Sequence, residues 1–311
     1  MKAGANGVDK LGFQKCAEFL RCPKCHAELN INKAETFVVC KRDSSHRFPI
    51  INGILSFVKR EEIPPEDAKW VFEYDEMAER YDESIKVYDS WLGVNFAEEF
   101  RTVIKRIPIK PTQRVLDIST GTGAVFFSIK EVYPNVKIEA VGVDLSLGML
   151  RVALGKFKHA GIKVPLFHAQ IKELPFKDES FDIITHHGGI NTFAGIPATL
   201  KEWTRVLKPE GTLLVSDEGL SPTARKTQRG LKIVEDNGLF GLQPPLEHLP
   251  PQLETVELRW IAKDTFYTIT CQKLSREELN QLKTNGTEHT RIEEILKKLK
   301  AKEKRIELAR S

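Results

Sequence analysis

One short apolar run that opens into a glycine-bearing loop constrains the fold of this chain more than any other feature. Residues 115–123 read VLDISTGTG, with Asp117 in the run and Gly121 and Gly123 in the loop. Glycine lets the backbone turn tightly and approach a ligand closely. A later apolar run ends in Asp144, and a carboxylate at the end of the second strand of such a sheet accepts hydrogen bonds from ribose hydroxyls. Together the two features predict a parallel sheet that binds a ribose-containing ligand.

From residue 114 onward, apolar runs alternate with amphipathic stretches. The runs are RVLDIST, KIEAVGVD, PLFHAQ, DIITHH and GTLLVSDE, and helices are predicted near 124–133, 146–159 and 197–207. This alternation indicates parallel strands joined by crossover helices. The loop spacing D-x-x-x-G-x-G differs from the G-x-G-x-x-G of dinucleotide enzymes, which argues against NAD. We therefore predict an α/β fold with a Rossmann-like sheet and helices on both faces.

A second pattern, near the N-terminus, predicts a metal site. Cys22-x2-Cys25 is followed by Cys40 and His46, and the chain has five cysteines in all. An odd count with a tight cluster favours metal ligation over disulfides. Because tetrahedral zinc takes four such ligands, the segment is predicted to be a zinc ribbon that holds structural Zn²⁺. His26 is the competing fourth ligand, although it directly follows Cys25 and has poor reach.

The chain is predicted to have four segments. They are a zinc ribbon (1–60), a charged and proline-bearing linker (61–71), an α/β domain (72–274) and a basic helical extension (275–311). Within the last of these, residues 291–311 hold eight Lys or Arg and four Glu, which accounts for the net charge of +4. A basic helix with one apolar face suits either contact with RNA phosphates or docking on the core, and the sequence leaves both open.

Hydropathy and charge narrow the function classes. No apolar run reaches the roughly 18 residues of a membrane helix, so no membrane span is expected. The first residues lack the apolar core of a signal peptide, so a cytoplasmic protein is expected. The net charge of +4 is too small to indicate nucleic-acid binding by itself.

Five motifs in the α/β region resemble those of class I S-adenosylmethionine (SAM)-dependent methyltransferases, in particular the quinone-pathway C-methyltransferases. They are FEYDEMAERYDE, VLDISTGTG, GVDLSLGML, IKELPFKDESFDII and EWTRVLKPEGTLLVSD, in that order. The resemblance implies SAM binding by Tyr81, Asp117, Ser119, Thr120, Gly121, Gly123, Asp144, Leu145, Met149, Gln170, Ile171 and His186. Two positions depart from the family pattern, since it usually has Gly in place of Ser119 and Asp in place of Gln170.

The stretch HRFPIINGILSFV, which follows the last predicted metal ligand, resembles the tail of zinc ribbons found with RNA methyltransferases. Such ribbons occur at the N-terminus of bacterial rRNA guanine methyltransferases and in a small activator of tRNA and rRNA methyltransferases. The layout is also similar to the archaeal rRNA N4,N4-dimethylcytidine synthases. The resemblance implies that the substrate is RNA, and rRNA in particular. No DNA substrate is expected, and a protein partner is left open.

The stretch ITHHGGINTF at the end of the fourth core strand carries the candidate catalytic residues His186, His187 and Asn191. Adjacent strand residues point to opposite faces, which argues against a shared metal. One histidine could act as a base or orient the acceptor. Alternatively, neither histidine takes part in the chemistry, and both only shape the site, with His186 lining the SAM pocket and His187 packing beneath it.

The acceptor itself is not defined by the sequence. The Asn/Asp-Pro-Pro-aromatic motif of many exocyclic-amine methyltransferases is absent, and neither Cys16 nor Cys271 is placed to attack a pyrimidine ring. We therefore predict a methyltransferase that acts on an RNA base, with the N4 amine of cytidine among the candidate targets. A small-molecule methyltransferase, acting on a quinone or lipid, and a non-enzymatic RNA-binding factor are the alternatives.

Overall fold

The computed structural model describes residues 11–31 and 36–285, together with Lys297. The strands in this part of the chain are β1 (Leu29–Asn30), β2 (Phe37–Cys40), β3 (Arg47–Ile51), β4 (Ile54–Ser56), β5 (Arg114–Ile118), β6 (Glu139–Asp144), β7 (Leu166–His168), β8 (Phe181–His187), β9 (Leu207–Glu218), β10 (Leu253–Ile261) and β11 (Phe266–Lys273). The helices are α1 (Leu11–Cys16), α2 (Pro65–Met77), α3 (Tyr81–Leu92), α4 (Phe96–Ile104), α5 (Ala124–Val132), α6 (Leu147–Ala160), α7 (Ile196–Val206), α8 (Gln228–Asp236) and α9 (Arg276–Asn285).

These strands form one eleven-stranded sheet in the order β1-β2-β3-β4-β7-β6-β5-β8-β9-β11-β10. The neighbours from β4 to β9 run parallel, whereas β11 and β10 add antiparallel strands at one edge. Helices α5, α6 and α7 lie between successive parallel strands in the chain, as the crossover connection requires. The predicted Rossmann-like α/β fold with helices on both faces is confirmed.

The N-terminal ribbon extends this sheet instead of standing apart from it. Strand β4 pairs in parallel with β7, with Leu55 opposite Phe167. The rings of Phe48 and Phe57 lie 4.8 Å apart, and Phe57 stacks in turn on Phe167 at 6.3 Å. Ribbon and α/β region therefore share one sheet and one apolar core, although the sequence-based division separates them at residue 60.

The segment 61–71, expected to be a linker, contains the start of helix α2. Pro65 occupies the first helical position, where its missing N–H costs nothing because that group has no intrahelical partner. Glu66 and Asp67 follow in the first turn and interact favourably with the positive end of the helix dipole. The prolines and acids that indicate a linker in the sequence are thus also the signals of a helix start.

The C-terminal part of the described chain is helix α9, which buries Leu279 and Leu282 with Leu274. The predicted basic helix lies almost wholly in residues 286–311, which fall outside the described residues apart from Lys297. No helix in the described part of the chain is both long enough and apolar enough to cross a membrane.

Candidate active site and metal centre

The four predicted metal ligands come together at one point of the ribbon. The ligand atoms of Cys22, Cys25, Cys40 and His46 all lie within 4.8 Å of one another. Cys22 Sγ is 3.5 Å from His46 Nδ1, and Cys25 Sγ is 3.4 Å from Cys40 Sγ. Three thiols and one imidazole are the donor set of a structural zinc site. The ribbon therefore fits structural zinc, with these residues as its ligands.

Local backbone turns bring each pair of ligands together. His26 N donates to Cys22 O at 2.8 Å, and His26 itself has a left-handed backbone with φ of 60°. This turn places Cys22 and Cys25 side by side, and His26, the competing ligand, is not part of the cluster. On the other side, His46 Nε2 lies 3.5 Å from Asp43 Oδ2. Contact with a carboxylate on one ring nitrogen orients the other toward a metal.

A second site lies at the carboxyl ends of the parallel strands. Chain order reverses at β5, which has β6 on one side and β8 on the other, and ligands of such sheets bind at this switch point. The cavity there has a floor of strand ends and a cover formed by α2 and α3. Its lining comprises Asp67, Trp70, Val71, Tyr74, Tyr81, Ser119, Gly121, Asp144, Leu145, Ser146, Met149, Ile171, His187, Gly188, Gly189, Thr192, Phe193, Glu218 and Leu239.

The glycine loop after β5 is tied to the acid that ends β6. Ser119, Gly121 and Gly123 all have positive φ, of 57°, 55° and 88°. A side chain on Gly123 would meet the Phe157 ring at 2.4 Å, so only glycine fits this position. Gly121 N donates to Asp144 Oδ2 at 2.7 Å. Ser119 occupies the left-handed region without being glycine, which costs on the order of 1 kcal/mol and is compatible with the loop.

Asp144 offers a carboxylate to the cavity. Its Oδ1 accepts from Ser146 N at 2.8 Å, and its Oδ2 accepts from Gly121 N. Burial raises the pKa of Asp144 to about 6, while the backbone N–H donors favour its ionised form. A carboxylate fixed in this way at the end of the second strand is suited to accept the hydroxyls of a ribose.

Asp117 lies beneath the cavity and does not border it. The carboxyl group is almost fully buried and accepts a hydrogen bond of 2.7 Å from Thr185 Oγ1 on β8. Burial raises its pKa to about 7. Thr120 Oγ1 donates to the Asp117 carbonyl at 2.9 Å. The residue therefore connects β5, β8 and the glycine loop, and any effect on a ligand passes through the loop.

Strand alternation places the two histidines in the reverse of the expected arrangement. His187 lines the cavity and packs its ring edge-on against Phe100 at 3.7 Å. The His186 ring lies on the opposite face of the sheet, against the rings of Phe193 and Trp203. Its Nδ1 is 3.1 Å from the Ile118 carbonyl oxygen, which can only accept, so this nitrogen carries the proton. The sequence shows that the two rings face opposite sides but not which of them faces the ligand.

Burial lowers the pKa of both imidazoles, to about 4 for His186 and about 3 for His187. Both rings are therefore neutral near pH 7. His187 Nδ1 has no hydrogen-bond partner among the described residues. A base with so low a pKa accepts protons poorly, which favours a positional role for His187 over general base catalysis.

Asn191 does not border the cavity and instead fastens the loop that follows β8. Its N–H donates to Asp217 Oδ2 at 2.8 Å, and its Nδ2 donates to the Glu218 carbonyl at 2.9 Å. Tyr267 Oη donates to Asn191 Oδ1 at 3.2 Å. The side chain predicted to touch the acceptor thus holds β8, β9 and β11 together behind it.

The predicted cofactor residues divide into two groups. Those that border the cavity are Tyr81, Ser119, Gly121, Asp144, Leu145, Met149 and Ile171. Those that are not part of its lining are Asp117, Thr120, Gly123, Gln170 and His186.

Sequence reasoning missed several lining residues, notably Trp70 and Tyr74 on α2 and Glu218 at the end of β9. Trp70 was hidden by the expectation of a linker, whereas Tyr74 lies within the FEYDEMAERYDE motif and was not singled out there. The Asp-Glu pair that ends β9 was a usable signal, since it lies at the same sheet edge as Asp144.

Comparison with known proteins agrees with this geometry. Residues 115–211 match the family model described as "Methyltransferase domain", and residues 15–53 match "Trm112p-like protein". The demethylmenaquinone methyltransferase of Staphylococcus saprophyticus is 30% identical over 193 residues, covering 61% of this chain and 79% of that protein. The chain belongs to the SAM-dependent methyltransferases. Its Asp144 carboxylate, glycine loop and aromatic cover fit SAM as the cofactor.

Other relatives of the methyltransferase match over less of their length. The ubiquinone/menaquinone biosynthesis C-methyltransferase UbiE of Syntrophotalea carbinolica is 35% identical over 49% of this chain and 61% of that protein. The chain spans about 60% of the length of the first curated relatives it matches. The chain is also similar to a solved structure, the complex of the Haloferax volcanii Trm112 methyltransferase activator with a putative methyltransferase. The sequence identity is 17% and the TM-score 0.46, over 65% of this chain and 98% of the matched chain.

Loss of zinc is expected to destabilise the methyltransferase as a whole. Because the ribbon shares its core with the sheet, Cys40→Ser should lower the midpoint of thermal unfolding by at least about 5 °C. Circular dichroism at a helix-sensitive wavelength measures this, with zinc content determined in parallel. Cys16→Ala, at a buried thiol outside the cluster, is the control. Zinc loss without any shift in the helical transition would contradict the expectation.

SAM affinity is expected to depend on pH through Asp144. Its pKa is raised to about 6, so the carboxylate that accepts ribose hydroxyls is present above this pH and is lost as the pH falls through it. The Kd for SAM should increase by up to about tenfold per unit below pH 6. Isothermal titration calorimetry measures it, and Asp144→Asn should bind more weakly with no such dependence. The same pH dependence in the Asn variant would assign it to another group.

Proposed function

We propose that this methyltransferase modifies a base in RNA, with rRNA as the substrate and an exocyclic amine, such as N4 of cytidine, as the acceptor. The observation that carries the proposal is a basic groove that adjoins the cofactor cavity. Its volume is about 500 Å³, and it lies between the zinc ribbon, the segment after β4, and helices α2 and α6.

The charge of the groove suits a polyanion. Its lining includes the basic residues Lys24, Arg47, Lys59, Arg60 and Arg151 and the acidic residues Glu61, Glu62 and Asp75. Two of these acids are already engaged. Glu62 pairs with Lys24 at 3.1 Å, and Asp75 Oδ1 accepts from Ser146 Oγ and Gly148 N at the start of α6. The five basic side chains outnumber the three acidic ones, and this surplus of positive charge favours contact with phosphates.

The groove also has a suitable position. Val71 and Leu145 belong to the lining of both the groove and the cofactor cavity. A single-stranded segment held along the ribbon would thus pass beside the cavity, and an unpaired base could enter it. Enzymes that modify a base need such extrusion, because the target atom is otherwise buried in the stack.

The methyl transfer itself requires mainly alignment. Bound SAM would supply a methyl group on a positively charged sulfur. An acceptor lone pair held in line with it would take this methyl group as the carbon–sulfur bond breaks, and the acceptor would give up a proton. Gly188 and Gly189 leave space for a flat base beside the neutral ring of His187, and Phe193 offers a stacking surface. Holding the two reactants in line supplies most of the rate enhancement.

A small-molecule acceptor is the second candidate. The curated relatives are named as quinone methyltransferases, and the cavity between two aromatic surfaces suits a quinone ring as well as a base. The ribbon and its basic groove have no evident purpose for such a substrate.

Nucleoside mass spectrometry of a deletion strain separates the two candidates. We expect one methylated nucleoside to disappear from rRNA and to return with the wild-type gene. Asp144→Ala should not restore it, because the variant lacks the acceptor for the ribose. Unchanged RNA together with an undermethylated quinone would overturn the proposal in favour of the second candidate.

The groove predicts a change in the salt dependence of RNA binding. The triple variant in which Ala replaces Arg47, Lys59 and Arg60 should show a weaker salt dependence. The slope of log K for RNA binding against log salt concentration should become less steep by about 2, since each contact with a single-stranded phosphate contributes about 0.7. Fluorescence anisotropy with a labelled single-stranded RNA measures this.

The matched control for the groove variant replaces three exposed lysines elsewhere, Lys105, Lys137 and Lys158, by Ala. The two triple variants carry the same net charge. An equal loss of slope in both would show that net charge, and not the groove, determines binding. SAM affinity should be unchanged in both variants.

A further inference from the structure

An acidic pair, Asp217 and Glu218, ends β9 beside the cofactor cavity. The first member, Asp217, is fully buried. Its carboxylate accepts three backbone N–H groups, from Gly189 at 3.0 Å, Asn191 at 2.8 Å and Glu218 at 2.9 Å. Because its acceptor sites are used by the backbone, Asp217 fixes the loop after β8 and is not available to a ligand.

Glu218, the second member, is the acid of this pair that faces the cavity. It lies in the lining together with His187, Gly188 and Gly189, on the side where the methyl acceptor is proposed to sit. Tyr88 Oη on α3 donates to Glu218 Oε1 at 3.5 Å, and Asn191 Nδ2 donates to its backbone carbonyl. The Glu218 side chain is thus held by α3, and its backbone by the loop after β8.

The other titratable groups at this end do not suit proton removal. His187 has too low a pKa, and His186 is outside the lining. Asp144 lies on the side expected to hold the ribose. Tyr74 and Tyr81 also line the cavity, but burial raises the pKa of each, so they keep their protons near pH 7. Asp67, which also lines the cavity, is paired with Lys172 at 3.1 Å. Glu218 is therefore the group that remains on the acceptor side.

The surroundings of Glu218 raise its basicity. The groups that face it are Asp217 on its own strand, Tyr88 and Tyr81 on α3, Tyr74 on α2, His187 on β8 and Tyr267 on β11. None of these is a cation, and the described lining of the cavity contains no Lys or Arg. Burial, followed by a hydrogen bond with Asp217 and its negative charge, raises the pKa of Glu218 well above the usual value. A carboxylate with a raised pKa is a better proton acceptor than an exposed one.

We propose that Glu218 is the catalytic base of this methyltransferase, which removes a proton from the acceptor amine as the methyl group is transferred. The nitrogen–carbon bond forms from the amine lone pair, and the carbon–sulfur bond breaks to leave a neutral thioether. The proton leaves the nitrogen for the Glu218 carboxylate and passes from there to water. The assignment rests on the proposed function, because it takes an exocyclic amine as the acceptor.

Single-turnover methylation of rRNA from the deletion strain tests the assignment. Glu218→Gln keeps the shape of the side chain but cannot take the proton, so the rate should fall by at least about 100-fold, with the Kd for SAM unchanged. The rate of the wild type should rise with pH as Glu218 ionises. The residual rate of the Gln variant should not increase with pH. Glu218→Asp should recover part of the wild-type rate and its increase with pH.

Glu83→Gln, at an exposed glutamate on α3, is the matched control and should react like the wild type. If the Glu218→Gln variant methylates rRNA at the wild-type rate, or keeps the wild-type pH profile, the assignment of Glu218 as the base is overturned. The proposal that RNA is the substrate would be unaffected by this result. If the wild type itself fails to methylate this rRNA, the proposed function fails, and the assignment to an amine acceptor fails with it.

Discussion

The parallel pairing of β4 with β7 is the contact on which the architecture depends. A parallel strand edge that ended at β7 would present unpaired N–H and C=O groups to solvent or to other chains. The ribbon covers that edge with main-chain hydrogen bonds and with the rings of Phe48 and Phe57. Zinc in turn holds the two turns of the ribbon, so the metal stabilises a strand that belongs to the sheet of the methyltransferase.

Alternation and spacing predicted the fold and the metal ligands because both depend on local rules. A parallel sheet follows from apolar runs separated by amphipathic ones, and Cys22, Cys25, Cys40 and His46 are two short-range pairs. The cofactor side was predictable for the same reason, since the glycine loop and Asp144 lie at fixed places on adjacent strands. The prediction that structural zinc and SAM are the cofactors is confirmed.

The parts that escaped prediction depend on contacts between distant segments. The sequence requires His186 and His187 to face opposite sides of β8, but the choice of side depends on Phe100 of α4 and Trp203 of α7. The start of helix α2 was hidden by its prolines and charges, although the helix supplies Trp70 and Tyr74 to the cavity. Glu218 looked like the polar end of a strand, and only its packing against Tyr88 and Asp217 distinguishes it from a solvated acid.

Helix α2 forms part of the wall of both the cofactor cavity and the basic groove, because its residue Val71 lines both spaces. Leu145, which directly follows strand β6, also lines both. Any displacement of this helix changes the shape of both spaces together. If the helix has two positions that the cofactor distinguishes, the affinity for the ligand of the groove changes by the same factor when cofactor binds, and the reverse also holds. Through such a movement the shared wall would make occupancy of the cavity and of the groove interdependent, without a separate regulatory site.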